Sequence, residues 1–301
     1  MSVTESEITT QPEMWERTAA LLPTVAERLP AAGRRLAVIG CGTSYFIAQA
    51  IAVLRESGGA GETDAFVASE MPAGRAYEEV LAISRSGTTT EVLRALEALP
   101  GDMPSLVISA VDDSPVVQAA GDSVLLEFAD ERSIVQTRFA TCVLALLRMH
   151  LGEDITPAVA QARAMLHGTD GAGSPPPPAE LTGFEQFVFL GHGWSVGIAA
   201  EAALKFREAS LSWAEAYPAG EYRHGPISVA GPRTLVWLIG LRDDSLVADI
   251  ESTGATVRLG DRDPMAELVA IQLAAAALAQ ARGLDPDRPR HLRRSVVLSP
   301  H

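Results

Sequence analysis

The chain reads as short apolar runs, each closed by a turn and followed by a longer stretch with apolar residues at helical spacing. "LAVIG" from Leu36 ends in the turn "CGTS" and continues as "YFIAQAIAVLRESG", with small residues along one helical face. "FVFLG" from Phe187 does the same through "HGWS" into "VGIAAEAALKFREAS". Further runs, "VLAIS", "SLVISAV" and "SVLLEF" in the first half and "TLVWLIG" and "ATVRLG" in the second, predict additional strands. Strands alternating with helices predict an α/β fold whose parallel sheets are covered on both faces. Such sheets bind ligands beyond the carboxyl ends of their strands, where helix N-termini also point.

The two strand-turn-helix units superpose in sequence. Placing Gly40 over Gly191 also places Gly42 over Gly193, Ser44 over Ser195, Ala48 over Ala199 and Ala52 over Ala203, the pattern of a duplicated fold. Between the copies lies "GTDGAGSPPPPAE", where glycines give way to four consecutive prolines that neither continue a helix nor pair within a sheet. The expected organisation is a first domain over 1–167, a linker over 168–180 and a second domain over 181–301.

Composition narrows the function. A chain of 301 residues with 47% hydrophobic side chains can bury a large core. Its net charge of -14 and pI near 4.9 argue against wrapping a nucleic acid, which needs a basic surface. "IQLAAAALAQA" is too short to span a bilayer, and the N-terminus lacks the basic start and apolar core of a signal peptide, so a cytoplasmic protein without membrane partners is expected. Two cysteines, Cys41 and Cys142, have no metal-ligand spacing and are read as reduced thiols.

Candidate chemistry sits at the strand ends. "ISRSGTTTEV" places Ser84, Ser86, Thr88, Thr89 and Thr90 directly after an apolar run. Hydroxyls, backbone N–H groups and a helix dipole together suit a phosphate; helix capping, the plainer use, needs one such residue rather than five. The turn Cys41-Gly42-Thr43-Ser44 lacks the third glycine of a dinucleotide fingerprint, so it reads either as a small-ligand site or as a capped tight turn. In "EAALKFREAS", Glu201, Lys205 and Glu208 share one helical face, which by spacing alone is a solvated, salt-bridged face. His224 stands on a loop bracketed by Pro218, Gly220, Gly225 and Pro226, and by itself reads as a surface histidine.

Taken together, "EITTQP", "GCGTSY", "SRSGTTTEV", "ERSIVQTRF", "LGHGW", "EAALKFREAS", "AEAYPAGEYRHGP" and "DPDRPRHLRRSV" resemble the sugar isomerase (SIS) family, over nearly the whole chain. The likeness is to the isomerase portion of glucosamine-6-phosphate synthase and to stand-alone amino-sugar-phosphate deaminases. It implies two tandem subdomains, each a flavodoxin-like parallel sheet with helices on both faces. With no glutamine-hydrolysing segment ahead of the match, the synthase reaction is not expected.

Residue by residue, the resemblance implies that Ser84, Ser86 and Thr89 hold a sugar phosphate, with Arg85 where the synthase has glutamine. Cys41, Gly42, Thr43 and Ser44 line the sugar, as does the backbone of Val135, and Gln136 replaces a small residue. Glu208 matches the carboxylate that shuttles the proton, Lys205 a nearby lysine, and His224 the ring-opening histidine, which in the family comes from the partner subunit and so implies a homodimer. The family's C-terminal lysine aligns with Arg294, which stays protonated and so cannot form a Schiff base, though it can stabilise an anionic oxygen. "LRDDS" stands in the second half where a second hydroxyl loop would repeat, giving one phosphate pocket per chain.

The expected activity is conversion of an amino-sugar 6-phosphate to a ketose 6-phosphate and ammonia, with no cofactor. Aldose–ketose isomerisation and fructosamine-phosphate deglycation share the proton shuttle. A non-catalytic phosphosugar sensor is the alternative from another class; it expects an attached DNA-binding helix pair or a lost base, whereas Glu208 and His224 are both kept.

Overall fold

A computed structural model describes residues 1–169 and 176–298 of the chain. Residues 170–175 of the expected linker lie outside the described residues. The last prolines of that stretch start a helical turn, Pro178–Leu181, where Pro178 takes the first helical position and its missing N–H costs nothing.

The chain forms two compact units. The first comprises Glu13–Arg132, Gln136–Ile155 and the segment that starts at Arg293; the second comprises Met1–Pro12, Ser133–Val135 and Thr156–Leu292. The halves expected from the sequence, 1–167 and 181–301, therefore differ from these units at both chain ends and also at 133–135 and 156–167, which belong to the second unit. Long-range polar contacts are the reason: the Asp287 carboxylate accepts from Val3 and Thr4 N–H at 2.8 Å each, and Gln11 Nε2 donates to Gln272 at 2.7 Å.

In the first unit, five parallel strands, β1 (Leu36–Gly40), β2 (Thr63–Val67), β3 (Glu79–Ser84), β4 (Ser105–Ser109) and β5 (Asp122–Leu125), run in the order β2-β1-β3-β4-β5. This is the flavodoxin-like order. β1, β3 and β4 are buried along almost their whole length, which is why they read as continuous apolar runs. Ala37, Ile39, Val80, Ala82 and Val107 form a core with Val92 and Leu96 of the Thr90–Glu97 helix. The order reverses between β1 and β3, so the crevice beyond their carboxyl ends receives both the Cys41–Ser44 turn and the 84–89 hydroxyl loop.

In the second unit, β6 (Gln186–Gly191), β7 (Trp213–Pro218), β8 (Thr234–Ile239) and β9 (Thr256–Gly260) are parallel in the order β7-β6-β8-β9. The edge strands β2 and β7 were not anticipated, since both are only partly buried and lack an apolar run. The Pro264–Ala281 helix contains the run judged too short to span a bilayer, and its 18 residues are in fact long and apolar enough. Its window is 72% buried, and its closest companions are the Ser195–Ser210 and Thr156–Leu166 helices of the same unit. Packing on several sides accounts for its composition.

The two Gly-x-Gly turns have the same backbone. Gly42 and Gly193 sit at φ of 55° and 54°, a region that favours glycine. A Cβ on Gly40 would lie 2.7 Å from the Ser44 carbonyl carbon, and one on Gly191 would lie 2.3 Å from the Ser195 carbonyl oxygen. The helix enters so close to the strand end that only glycine fits. Gly191→Ala is expected to cost about 1–3 kcal/mol through overpacking, read as a lower urea midpoint of unfolding.

Candidate active site

The phosphate-binding candidates occupy the first unit. Ser84 ends β3 and is buried with Arg85 and Ser86. Gly87 turns the chain at φ 64°, where a Cβ would lie 1.9 Å from Ser114 Oγ, so the loop closes tightly on its neighbour. The loop backbone is satisfied from that side: Ala110 N–H donates to the Arg85 carbonyl and Val116 N–H to the Gly87 carbonyl. Its hydroxyls are divided: Thr88 Oγ1 donates to Ser295 and Thr90 Oγ1 accepts from Leu298 N–H, while others stay uncommitted. Ser84 Oγ is buried without a hydrogen-bond partner, and Thr89, the residue before the Thr90–Glu97 helix, makes no side-chain capping bond. Five hydroxyls are thus not consumed by helix capping, and an orphaned buried hydroxyl is the group a ligand oxygen would satisfy.

Arg85 does not reach solvent. Its guanidinium faces Glu131 at 3.4 Å and donates to the Arg294 carbonyl at 3.3 Å. Glu131, which no spacing argument singled out, is the hub of this side. One carboxylate oxygen accepts Thr137 N–H and Oγ1, both at 2.6 Å, and Arg138 N–H at 2.9 Å, capping the Arg138–His150 helix. Its only sequence signal is membership of the "ERSIVQTRF" segment.

Arg294 directs its side chain to the Asp130 carboxylate and the Glu131 carbonyl. Across the crevice, Thr43 and Ser44 are buried at the start of the Thr43–Ser57 helix. Burial, with a contribution from Glu91, pushes the half-buried Cys41 thiol up to about 11, against a lowering hydrogen bond from the Ala68 backbone. It is therefore protonated near neutrality and lines the crevice rather than attacking. Gln136 is half-buried.

The acid–base candidates occupy the second unit. The helix Ser195–Ser210 carries Glu201, Lys205 and Glu208 on one face, but that face is not solvated. Glu201 is 0% exposed, Lys205 1% and Glu208 18%. Lys205 Nζ lies 2.6 Å from Glu208 and 3.2 Å from Glu201. Burial alone would push the ammonium down, but the carboxylates of Glu201 and Glu208 outweigh it and hold its pKa above the ordinary lysine value. Lys205 is thus a fixed cation that orients Glu208, while Glu208 remains the most exposed of the three. Spacing placed these residues on one face and missed their burial, because helical periodicity does not say what covers a face.

His224 ends the tight helical turn Ala219–His224 and is exposed, with no hydrogen bond among the described residues. Its loop is held from both sides. Tyr222 is fully buried in the core of this unit, and Arg223 donates to Asp249 and Ser245 at 2.6 Å each. Gly225, at φ 140°, ends the turn in a conformation other residues avoid. His224 is therefore presented outward, and among the described residues it forms no hydrogen bond or ion pair with Lys205 or Glu208. In the same unit, Asp243 of "LRDDS" caps the Asp244–Ser252 helix by accepting Leu246 N–H at 2.9 Å. The position that would repeat the hydroxyl loop is thus spent on a cap. Val135 is buried, and its carbonyl accepts from Ser133 Oγ at 2.8 Å. Among the described residues, no group of three or more His, Cys, Asp or Glu is placed to hold a metal ion.

Comparison with known proteins adds to this geometry. The SIS domain family matches residues 31–151, which contain the whole five-stranded sheet. The chain is 29% identical to glutamine–fructose-6-phosphate aminotransferase [isomerizing] of Halobacterium salinarum, over 87% of this chain and 52% of that protein. The Symbiobacterium thermophilum protein of the same name is 30% identical over 88% of this chain and 52% of its own length. The chain thus spans about half the length of the curated relatives it matches. Among solved structures, glucosamine-6-phosphate deaminase of Thermotoga maritima is 28% identical, with a TM-score of 0.83 over 99% of this chain and 100% of that one. Tagatose-6-phosphate ketose/aldose isomerase of Escherichia coli shares the fold, with a TM-score of 0.77 at 21% identity over 99% of this chain and 96% of that one.

Proposed function

We propose that this chain, whose residues 31–151 match the SIS domain family, is an amino-sugar-6-phosphate deaminase/isomerase acting on glucosamine 6-phosphate or a close relative. The observation that carries the reading is Glu208: a carboxylate that stays 18% exposed beside the sealed Glu201 and Lys205 of the same helical face, and that is held at 2.6 Å by a fixed ammonium. A positioned carboxylate of this kind suits proton transfer at carbon.

In the proposed reaction, Ser84, Ser86 and Thr89 hold the phosphate ester, and Cys41, Gly42, Thr43, Ser44 and the Val135–Gln136 segment line the sugar. His224, supplied by a neighbouring copy in a homodimer, moves the protons that open the ring. Glu208 then removes the hydrogen at carbon 2 and returns a proton to carbon 1, while the carbon 1 aldehyde oxygen gains a proton and becomes a hydroxyl. The nitrogen at carbon 2 gives up the proton that balances the one gained by that oxygen and is left as a ketimine. Water adds to it, and ammonia leaves with formation of the ketose 6-phosphate. Every step is a proton transfer or hydrolysis, so acid–base groups suffice. The protein is proposed to work in the cytoplasm.

The test is to incubate the purified chain with glucosamine 6-phosphate and follow ammonia and fructose 6-phosphate. Stoichiometric release of both supports the reading. Interconversion of aldose and ketose phosphates without ammonia would make it an isomerase, and ammonia-free release of a sugar phosphate from a fructosamine phosphate a deglycase. Binding that raises the melting temperature with no turnover on any of these would make it a sensor.

Ser84 gives a sharper test of the phosphate site. Removing an orphaned buried hydroxyl costs the fold little, whereas a hydrogen bond to an ionised phosphate contributes about 1.5–3 kcal/mol. Ser84→Ala is therefore expected to keep the wild-type melting temperature and to weaken glucosamine 6-phosphate binding roughly tenfold or more, by calorimetry.

A further inference from the structure

Residues Arg293–Leu298 belong to the first unit and run along the hydroxyl loop, and what holds them there is polar. The Thr90 N–H, an end group of its helix with no intrahelical acceptor, donates to the Val296 carbonyl at 3.1 Å, and Leu298 N–H donates back to Thr90 Oγ1 at 2.9 Å. Thr88 Oγ1 donates to Ser295 Oγ at 2.9 Å. Apolar burial does not fasten the segment: Val296, Val297 and Leu298 remain 52%, 70% and 42% exposed. A segment without buried apolar contacts stays in place only while its hydrogen bonds and charges do.

Two arginines supply that attachment. Arg85, inside the loop between Ser84 and Ser86, donates to the Arg294 carbonyl and faces the buried Glu131 carboxylate. Arg294 reaches in the opposite direction, to the Asp130 carboxylate and the Glu131 carbonyl. Each arginine thus ties the tail to the Asp130–Glu131 pair, one through the tail's backbone and the other through its side chain. Glu131 is itself anchored by Thr137 and Arg138.

We infer that Arg85, Asp130, Glu131 and Arg294 form a clasp that fastens the C-terminal tail across the hydroxyl loop, with Arg85 and Arg294 acting as positioning residues. In this chain Arg294 serves the tail's seating, and its guanidinium is committed to Asp130 and Glu131. The inference does not depend on which phosphosugar the protein takes.

Hydrogen–deuterium exchange on the intact protein tests it. The reporters are the amides of the 293–298 segment and the Thr90 amide, whose acceptor is the tail. Asp130→Asn, at a partly exposed position, and Arg85→Gln are each expected to speed exchange at these reporters about tenfold or more, while β1, β3 and β4 exchange as in the wild type. Arg294→Lys keeps the charge but not the fork and is expected to fall between. Unchanged reporter exchange in both Asp130→Asn and Arg85→Gln would overturn the clasp. So would exchange that rises equally in the tail and the central strands, which is general destabilisation. The exchange readout needs no turnover, so it stands or falls separately from the proposed reaction.

Discussion

Glu208→Gln is expected to lower turnover of glucosamine 6-phosphate by about 10²–10⁴-fold, the usual contribution of a positioned general base, while leaving the protein folded. The amide keeps the shape and one acceptor oxygen for Lys205 Nζ, which retains Glu201 as a second partner at 3.2 Å. What is lost is the ability to accept a proton and give it back. The loss should appear in kcat, with the phosphate-dependent part of binding retained, because the loop that carries Ser84, Ser86 and Thr89 is untouched. Single-turnover and steady-state ammonia release separate the two. Activity near that of the wild type would remove Glu208 from the chemistry and leave the proposed reaction without its base.

Lys205→Met should act on stability first. The substitution leaves the carboxylate of Glu201, fully buried, beside that of Glu208 with no ammonium to balance them. Breaking a buried ion pair by removing one partner typically costs about 3–5 kcal/mol, and the urea midpoint at neutral pH should fall accordingly. The pH dependence has a definite sign. Because the folded protein holds the Lys205 pKa above its ordinary value, the stabilisation is fully present below the unfolded value of about 10.4 and is lost as pH rises through the folded value. Unfolding midpoints of wild type and variant should therefore converge as pH is raised from 7 to beyond about 10.4. A constant gap across that range would mean that packing of the lysine stem, rather than its charge, supports the helix.

The turns and the hidden face of the Ser195–Ser210 helix show where local reading succeeds and where it stops. Gly40, Gly42, Gly191 and Gly193 were legible because the constraint is short-range: a strand feeding directly into a helix leaves no room for a Cβ, whatever surrounds it. The buried strands were legible for a related reason, since β1, β3 and β4 are covered on both faces and carry unbroken apolar runs. β2 and β7, half-covered at the sheet edges, carry no such signature.

Charge was the harder case. Glu201, Lys205 and Glu208 have the spacing of a solvent-facing salt-bridged row, and only family resemblance pointed beyond it. Arg85 carries no spacing signal for its surroundings and is buried against Glu131. Glu131 and Asp130 had no spacing signal for their arginine contacts, because Arg85 and Arg294 lie 46 and 164 positions away from Glu131 and Asp130 respectively.

The amino-acid sequence by itself determined the alternation of strands and helices, the duplicated glycine turns and the hydroxyl loop at a strand end, all of which are written in neighbouring residues. Tertiary structure alone decided which charged groups are sealed, which hydroxyl is left without a partner, and where the two chain ends attach. Those outcomes depend on what packs over each residue, and the covering groups come from segments far along the chain, beyond the reach of any local pattern.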